Sequence, residues 1–171
     1  MTWPSADKPR IEKLSPLHDL SAFDCGVAAL NRYLSGFALA NQRSGSSQTY
    51  IAIIGVEVAG FYTLTFGEIT QAEAPERLAK GLPRFPVPVM ILARLGVSTA
   101  WQGRGLGSGL LKDAFRRVTA ASEIIGGRAM VVHAKDERVR DWYKTLDFVP
   151  LTEGSLTLYR LLKDLKALLA P

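Results

Sequence analysis

Four glycines at alternate positions stand directly before a helical pattern in this sequence. They are Gly103, Gly105, Gly107 and Gly109, within the stretch WQGRGLGSGLL at 101–111. Glycine loses more backbone entropy on ordering than any other residue, so this is a costly way to begin a helix. Glycine also lets the backbone approach a ligand closely, and the free N–H groups of a first helical turn carry partial positive charge. The pattern therefore predicts an anion-binding loop.

The residues around the glycines leave this positive charge without a partner. Asp and Glu often occupy the first turn of a helix, because they complement the helix dipole. No acidic residue occurs between Ser98 and Lys112, where Gln102 and Arg104 stand instead. We therefore expect an external anion, and a phosphate group suits such a loop. The alternative is a flexible turn whose glycines only allow close packing.

The spacing of the glycines excludes two common phosphate-binding loops. The chain contains no Gly-Lys-Ser or Gly-Lys-Thr, so the P-loop pattern is absent. The dinucleotide-binding pattern also fails, because the run reads G-R-G-L-G-S-G and lacks the acidic residue that should follow a second parallel strand. The pattern that matches is Q-x-x-G-x-G, from Gln102 to Gly107, directly after a strand.

Hydrophobic periodicity places this loop in a mixed α/β fold with helices on both faces of a mixed sheet. Nothing repeats and no linker divides the chain, so residues 1–171 are predicted to be one domain. The apolar run at 88–98 predicts a central strand, and a helix follows the glycines. The other predicted elements are a strand at 10–14, one or two helices within 21–44, strands at 49–54 and 58–66, a long loop at 71–88 with one helical turn, a strand at 128–134, a helix at 137–146, a turn at 148–150, a strand at 155–162 and an amphipathic tail.

Composition bounds the class of protein. The chain has 171 residues, of which 47% are hydrophobic, so it can bury a full core. Its net charge of +5 suits a protein that binds anions, although many ordinary domains are as basic. The single cysteine, Cys25, excludes an intramolecular disulfide and a cysteine-rich zinc site, and we expect no metal. No apolar run reaches membrane-spanning length and no signal peptide is evident, so we expect a cytoplasmic protein without membrane contact.

The loop motif and the order of elements together resemble the GNAT superfamily of acetyl-CoA-dependent N-acyltransferases, over essentially the whole chain. The resemblance implies that acetyl-CoA is the co-substrate and that an N–H group near Val97 stabilises the thioester oxyanion. It also implies that Tyr143, in DWYKTLDF, is the general acid for the leaving CoA thiolate, with a packing tyrosine as the alternative. The implied acetyl-CoA-binding residues are Leu95, Gly96, Val97, Gln102, Gly103, Arg104, Gly105, Gly107 and Ser108.

Three further segments resemble the GNAT toxins of bacterial toxin–antitoxin modules. They are L-x-x-F-D-C-G-x-x-x-L-N-x-Y-L from Leu20 to Leu34, LARLGVS, and HAKDERVRDWYKTLDFVP. This resemblance implies an enzyme that acetylates the α-amino group of aminoacyl-tRNA and so blocks translation. It further implies a homodimer that a ribbon-helix-helix antitoxin neutralises.

The central strand itself favours an aminoacyl amine as the acceptor. Residues 91–97 contain no Glu or His that could act as a general base. A peptide-like α-amine has a pKa of ~7.7–8.0 against ~10.4 for lysine, so it needs less help to lose a proton. Arg77, Arg84 and Arg94 are candidates for contact with tRNA phosphates, with solvated surface charge as the alternative. Arg94 interrupts an apolar strand, so we expect a ligand phosphate or a structural carboxylate beside it.

Two other functions stay open at this point. One is a GNAT enzyme that acts on a small amine or a protein N-terminus. The other is an acetyl-CoA-binding module without catalysis, against which Tyr143 and the glycine loop both argue. Cys25 follows an aspartate, which disfavours a thiolate, and both Cys25 and His133 are expected to be core residues without a catalytic role.

Overall fold

The structure is a computed structural model that describes residues 7–171 of the chain. Within these residues the predicted mixed α/β fold is confirmed. The strands are β1 (Arg10–Lys13), β2 (Gln48–Ile54), β3 (Glu57–Ile69), β4 (Val87–Val97), β5 (Ala129–His133), β6 (Val149–Pro150) and β7 (Thr157–Leu161). The helices are α1 (Ala28–Gly36), α2 (Ala38–Ser44), α3 (Glu76–Ala79), α4 (Leu106–Ile125), α5 (Glu137–Lys144) and α6 (Leu162–Leu169).

The seven strands form one sheet in the order β1-β2-β3-β4-β5-β7-β6. β4 and β5 are parallel, whereas β1–β2, β2–β3, β5–β7 and β6–β7 are antiparallel pairs. The pairing of β4 with β5 runs from Val89–Ala129 to Leu92–Val132. β4 itself continues to Val97, so its last five residues extend beyond this ladder.

The chain divides into two compact units, and β3, β4 and α4 each contribute residues to both. The first unit comprises the residues up to 65 together with 93–114. Its core joins Tyr33 and Leu34 of α1 to Ile51 of β2 and Phe61 of β3. Phe23 packs edge-on against Phe61 with ring centroids 5.6 Å apart, which fixes the segment before α1.

The second unit comprises residues 66–92 and 115–171. Residues 129–132 of β5 are fully buried, as expected for a strand between two others in a sheet. The Asp136 carboxylate caps α5 by accepting a hydrogen bond of 2.9 Å from the Val139 N–H. The Arg160 guanidinium donates to the Leu146 main-chain oxygen at 3.0 Å and lies 5.5 Å from the centroid of the Phe115 ring. These contacts hold both ends of α5.

Most predicted elements are confirmed within a few residues, including the single helical turn α3 in the long loop. The predicted turn at 148–150 is wrong, because Val149 and Pro150 form β6, opposite Tyr159 and Leu158 of β7. Proline lacks an amide hydrogen and is tolerated at the edge of a sheet, which is where β6 lies. β3 continues to Ile69, beyond its predicted end at residue 66, and the amphipathic tail is helix α6.

Candidate active site

The last residues of β4 offer main-chain groups at an edge that β5 does not use. The Ser98 N–H, just after the strand, donates to the Ala59 oxygen of β3 at 2.8 Å. Successive N–H groups of an extended segment point to opposite edges, so that of Val97 points away from β3.

Gly96 is required in this strand because the neighbouring side chains leave no room for a Cβ atom. A Cβ built on Gly96 would lie 2.9 Å from Cε1 of Phe61 and 3.5 Å from the Cys25 sulfur. Contacts near 2.9 Å force a shift of the backbone or of a packed ring. The glycine thus brings the end of β4 close to the segment that precedes α1.

The glycine loop begins after a short 3₁₀ turn, Thr99–Trp101, and leads into α4. Gly103 and Gly105 have φ angles of +75° and +82°, a conformation that other residues adopt only at a cost. The first turn of α4 contains no acidic residue. The loop is exposed, and Arg104 lies over the Trp101 ring with its guanidinium carbon 4.7 Å from the centroid. This arrangement suits an anion-binding loop, as the sequence predicts.

Gln102 has a structural contact that the motif alone does not reveal. Its side-chain nitrogen donates to the main-chain oxygens of Cys25, at 3.0 Å, and of Val97, at 2.9 Å. Both amide hydrogens are engaged by these two acceptors. The side chain therefore ties the start of the loop to the end of β4 and to the turn before α1.

The turn before α1 is the D-C-G part of the recognised motif, and its polar groups hold one another. The Asp24 carboxylate accepts from the Gly26 N–H at 2.8 Å and from the Asn31 side-chain amide at 2.9 Å. These donors, the Gly26 amide first, hold the pKa of the Asp24 carboxyl below its usual range. The Asn31 side-chain oxygen accepts from the Cys25 N–H at 2.9 Å, and the Thr99 N–H donates to the main-chain oxygen of Asp24 at 2.9 Å. The motif thus builds a rigid support for the loop.

Tyr143 lies in α5 of the second unit, with its ring buried. Trp142 and Phe148 pack on the ring with centroid distances of 4.9 and 5.5 Å. Burial raises the pKa of the Tyr143 phenol well above its usual value, so the proton stays on the oxygen at neutral pH. Within residues 7–171 the hydroxyl has no hydrogen-bond partner. Its proton is thus uncommitted.

Known proteins share this combination of elements and residues. No family model matches the sequence. The chain is 40% identical over 157 residues to a curated tRNA-acetylating toxin of Mycobacterium tuberculosis, which covers 92% of this chain and 94% of that protein. This chain belongs to the GNAT-fold acetyltransferase toxins.

Solved structures of toxins in this family superpose on almost the whole chain. AtaT complexed with acetyl-methionyl-tRNAfMet matches with a TM-score of 0.86 and 30% identity, over 95% of this chain and 100% of that one. A tyrosine-to-phenylalanine mutant of AtaT, bound to the C-terminus of the antitoxin AtaR and to acetyl-CoA, matches with a TM-score of 0.81 and 31% identity, over 95% and 99%. The resemblance predicted from the motifs is therefore confirmed.

The three arginines predicted to contact tRNA lie in different surroundings in this GNAT toxin. Arg77 of α3 pairs with Asp164 of α6 at 2.8 Å, and both side chains are exposed. Exposed ion pairs contribute only about 0–1 kcal/mol, so a phosphate can replace the carboxylate as the partner of Arg77. Arg84 is exposed in the same connection between β3 and β4. Arg128 holds this connection in place by donating to the oxygens of Leu78 and Lys80, each at 3.0 Å.

Arg94 lies in the first unit, half-buried on β4. Its guanidinium carbon is 4.2 Å from the centroid of the Tyr33 ring. The sequence predicts a ligand phosphate or a structural carboxylate beside Arg94. Among the described residues the carboxylate is absent, since Arg94 has no ion pair there. Cation–π stacking on Tyr33 holds the head of the side chain instead, a contact that the sequence did not indicate.

Of the two residues predicted to be in the core, one is buried and the other is exposed. Cys25 is a buried core residue, as predicted. His133 is not in the core, because it ends β5 with an exposed side chain that lies 3.0 Å from the Thr157 hydroxyl. Within residues 7–171, no group of three or more His, Cys, Asp or Glu side chains could hold a metal ion. No described helix is long and apolar enough to cross a membrane.

The residues predicted to bind acetyl-CoA all lie between Leu95 and Ser108, from the end of β4 into the first turn of α4, in the first unit. Tyr143, Arg77 and Arg84 lie in the second unit, and Arg94 in the first. Sequence reasoning missed the bracing contacts of Gln102 and the lining residues of a cleft beside Arg94. The available signal for that cleft was a basic residue, Arg32, directly before Tyr33 in α1.

Proposed function

We propose that this toxin transfers the acetyl group of acetyl-CoA to the α-amino group of aminoacyl-tRNA and thereby blocks translation. The observation that carries the proposal is the loop after β4, where two glycines with positive φ lead into a helix start without an acidic residue. The curated relative supports the choice of substrate, because it is a tRNA-acetylating toxin that matches almost end to end.

In this proposal the first unit holds the co-substrate through main-chain groups. The amides of Gly103, Arg104, Gly105, Gly107 and Ser108 bind the pyrophosphate, assisted by the partial charge of the α4 N-terminus. Leu95 and Gly96 bind the pantetheine arm along the free edge of β4, and Gln102 acts by keeping this edge and the loop in register. The Val97 N–H donates to the carbonyl oxygen as negative charge develops there.

Tyr143 is the proposed general acid. The amine nitrogen forms a bond to the acetyl carbon, the carbon–sulfur bond breaks, and the Tyr143 phenol gives its proton to the leaving thiolate. The phenolate then regains a proton from water, and the proton lost by the amine passes to water, so the overall reaction is balanced. The Tyr143 phenol carries its proton at physiological pH, as a general acid must before the transfer.

The partners follow from the same assignment. We propose that Arg77, Arg84 and Arg94 contact tRNA phosphates, that the toxin acts as a homodimer, and that a ribbon-helix-helix antitoxin neutralises it. AtaT bound to the C-terminus of AtaR supports an antitoxin partner for this fold. Charged tRNA and acetyl-CoA are both cytoplasmic, so we place the protein there.

The experiment that tests the proposal follows radiolabelled acetyl from acetyl-CoA to RNA. Label should appear on charged tRNA and not on deacylated tRNA, because the α-amine exists only on the former. Tyr143→Phe keeps the ring and removes the proton, and should lower turnover about 10²–10⁴-fold while acetyl-CoA affinity, measured by calorimetry, stays unchanged.

Two results would contradict the proposal. Charged tRNA without label, together with efficient acetylation of a small amine or a peptide N-terminus, would leave only the wider acetyltransferase assignment. A fall of less than about threefold in Tyr143→Phe would reduce Tyr143 to a packing residue, because general acids contribute far more.

A further inference from the structure

Arg160 is a charged residue within β7 that has most of its side chain buried. Only 11% of this side chain is exposed, and arginine is rarely so buried unless its charge has a partner. The main chain of Arg160 pairs with Met130 of β5 in the antiparallel ladder between these strands. The sheet therefore holds the base of the side chain, and the contacts of the guanidinium group show what it stabilises.

The guanidinium group of Arg160 contacts two successive residues of the turn that follows α5. It donates to the Leu146 main-chain oxygen at 3.0 Å, and it lies 3.6 Å from the Asp147 carboxylate. Asp147 has a φ angle of +63°, a left-handed conformation that costs energy in residues other than glycine. Such a conformation persists when the surrounding structure holds it. Arg160 thus fixes a turn whose backbone is strained.

This turn carries Phe148, whose ring packs against the ring of Tyr143. The two ring centroids are 5.5 Å apart, and the rings meet edge to face. The ring of Phe115 from α4 lies 6.0 Å from that of Phe148. The Arg160 guanidinium carbon lies 5.5 Å from the Phe115 centroid. Arg160 therefore contacts both the turn that carries Phe148 and the ring that packs on Phe148.

The Tyr143 ring depends on such packing for its orientation. Its hydroxyl has no hydrogen-bond partner within residues 7–171, so the neighbouring rings of Trp142 and Phe148 fix it instead. We propose that Arg160 is a positioning residue, which keeps the Tyr143 phenol in the orientation from which it protonates the leaving thiolate. The inference rests on the proposed function and adds a residue that acts on the general acid through Phe148. A displacement of about 1 Å can lower a reaction rate about 10²-fold, so this residue should affect turnover.

The test begins with Arg160→Met, which keeps the length of the side chain and removes its N–H donors and its charge. Turnover on charged tRNA should fall about tenfold, which is less than in Tyr143→Phe because the phenol is still present. The KM for charged tRNA and the acetyl-CoA affinity, measured by calorimetry, should stay at their wild-type values. Arg160→Lys keeps the charge but loses the planar group that reaches two partners, and should lower turnover about threefold. This second variant supplies the measurement if Arg160→Met does not fold.

A double-mutant cycle separates positioning from general damage. In Tyr143→Phe, the added change Arg160→Met should have no further effect on turnover, because the phenol that Arg160 positions is no longer there. Structural damage would instead lower turnover by the same factor in both backgrounds. The cycle with Arg160→Lys should give the same result. Single-turnover acetyl transfer to charged tRNA is the measurement, since it reports the chemical step.

Arg140 provides a matched control in α5 itself. Its side chain is 16% exposed, donates to the Gly154 main-chain oxygen at 3.3 Å and pairs with Asp141 at 3.3 Å. Gly154 lies in the connection between β6 and β7 and not in the turn that carries Phe148. Arg140→Met should therefore lower Tm by a similar amount to Arg160→Met and leave turnover unchanged.

Several results would overturn the proposal. They are wild-type turnover in both Arg160 variants, an equal loss of turnover in both backgrounds, a change in KM or acetyl-CoA affinity in place of turnover, or a loss in Arg140→Met as large as in Arg160→Met. Failure of the proposed function is distinct, because then charged tRNA takes no label or Tyr143→Phe alone keeps turnover within about threefold of the wild type. If only the inference about Arg160 fails, the wild type labels charged tRNA and Tyr143→Phe lowers turnover as expected.

Discussion

Replacing Gln102 by Met distinguishes a residue that braces the loop from one that binds acetyl-CoA directly. Gln102→Met keeps the length of the side chain and removes both N–H donors. The two lost hydrogen bonds join the loop to the Cys25 and Val97 oxygens, at 3.0 and 2.9 Å. If Gln102 instead contacted acetyl-CoA directly, its replacement would weaken acetyl-CoA binding and leave the stability of the unliganded protein unchanged.

The expected magnitude follows from these two bonds. A hydrogen bond between neutral groups contributes about 0.5–1.5 kcal/mol, and Gln102 is an exposed residue, so together the two contribute about 1–2 kcal/mol. For a chain of this size, each kcal/mol shifts Tm by roughly 2–4 °C. Gln102→Met should therefore melt about 2–8 °C below the wild type without any ligand, and its acetyl-CoA affinity should fall as well.

Gln71 offers a matched control, because its side-chain nitrogen also bridges two main-chain oxygens, those of Pro83 and Phe85, at 3.2 and 2.8 Å. Gln71→Met should lower Tm by a similar amount and leave acetyl-CoA affinity unchanged, because these oxygens lie in the connection between β3 and β4. Thermal melting and calorimetry on the three proteins provide the comparison. A Gln102→Met protein with wild-type Tm and weakened acetyl-CoA binding would refute the bracing role.

Three further predictions test the loop and the α5 helix. Gly105→Ala should lower the free energy of unfolding by about 1–2 kcal/mol, because φ is +82° at this position. Gly109→Ala in α4 should raise it by about 0.5–1 kcal/mol, because the added Cβ would meet nothing within 4 Å. Thermal melts that shift the Tm of both variants in the same direction would contradict this prediction. Asp136→Ala removes the cap of α5 and should lower the free energy of unfolding in urea by about 1 kcal/mol. Asp136→Asn keeps a side-chain oxygen that can accept the capping hydrogen bond, so it should keep most of the wild-type stability. Equal losses in the two variants would argue against the cap. Folding raises the pKa of the Tyr143 phenol, so as pH rises the unfolded chain loses this proton first, near pH 10, and the free energy of unfolding should fall above that pH. In Tyr143→Phe the free energy of unfolding should fall less steeply between about pH 9 and 11. The same slope in both proteins would exclude the raised pKa.

Local signals account for what could be predicted from the sequence. Apolar periodicity marks β2, β4 and β5 because their residues are buried, and the glycines mark the loop because φ is positive at Gly103 and Gly105. The missed features depend on distant residues. Gln102 bonds to Cys25, 77 positions away, and Arg94 stacks on a tyrosine from another element, and no local pattern indicates either pairing. β6 was missed because a two-residue edge strand ending in Pro150 has no periodicity to detect.

The buried Cys25 side chain makes the support of the loop observable in solution. It is the only thiol in the chain, and it is 6% exposed. Its own main-chain N–H donates to the Asn31 side chain, and its main-chain oxygen accepts from the Gln102 side chain. An alkylating reagent can reach the sulfur only when this turn opens locally. The rate of labelling of the native enzyme thus reports how often the turn opens. A ligand that binds only the closed loop lowers this rate in proportion to the fraction of the enzyme that has the ligand bound.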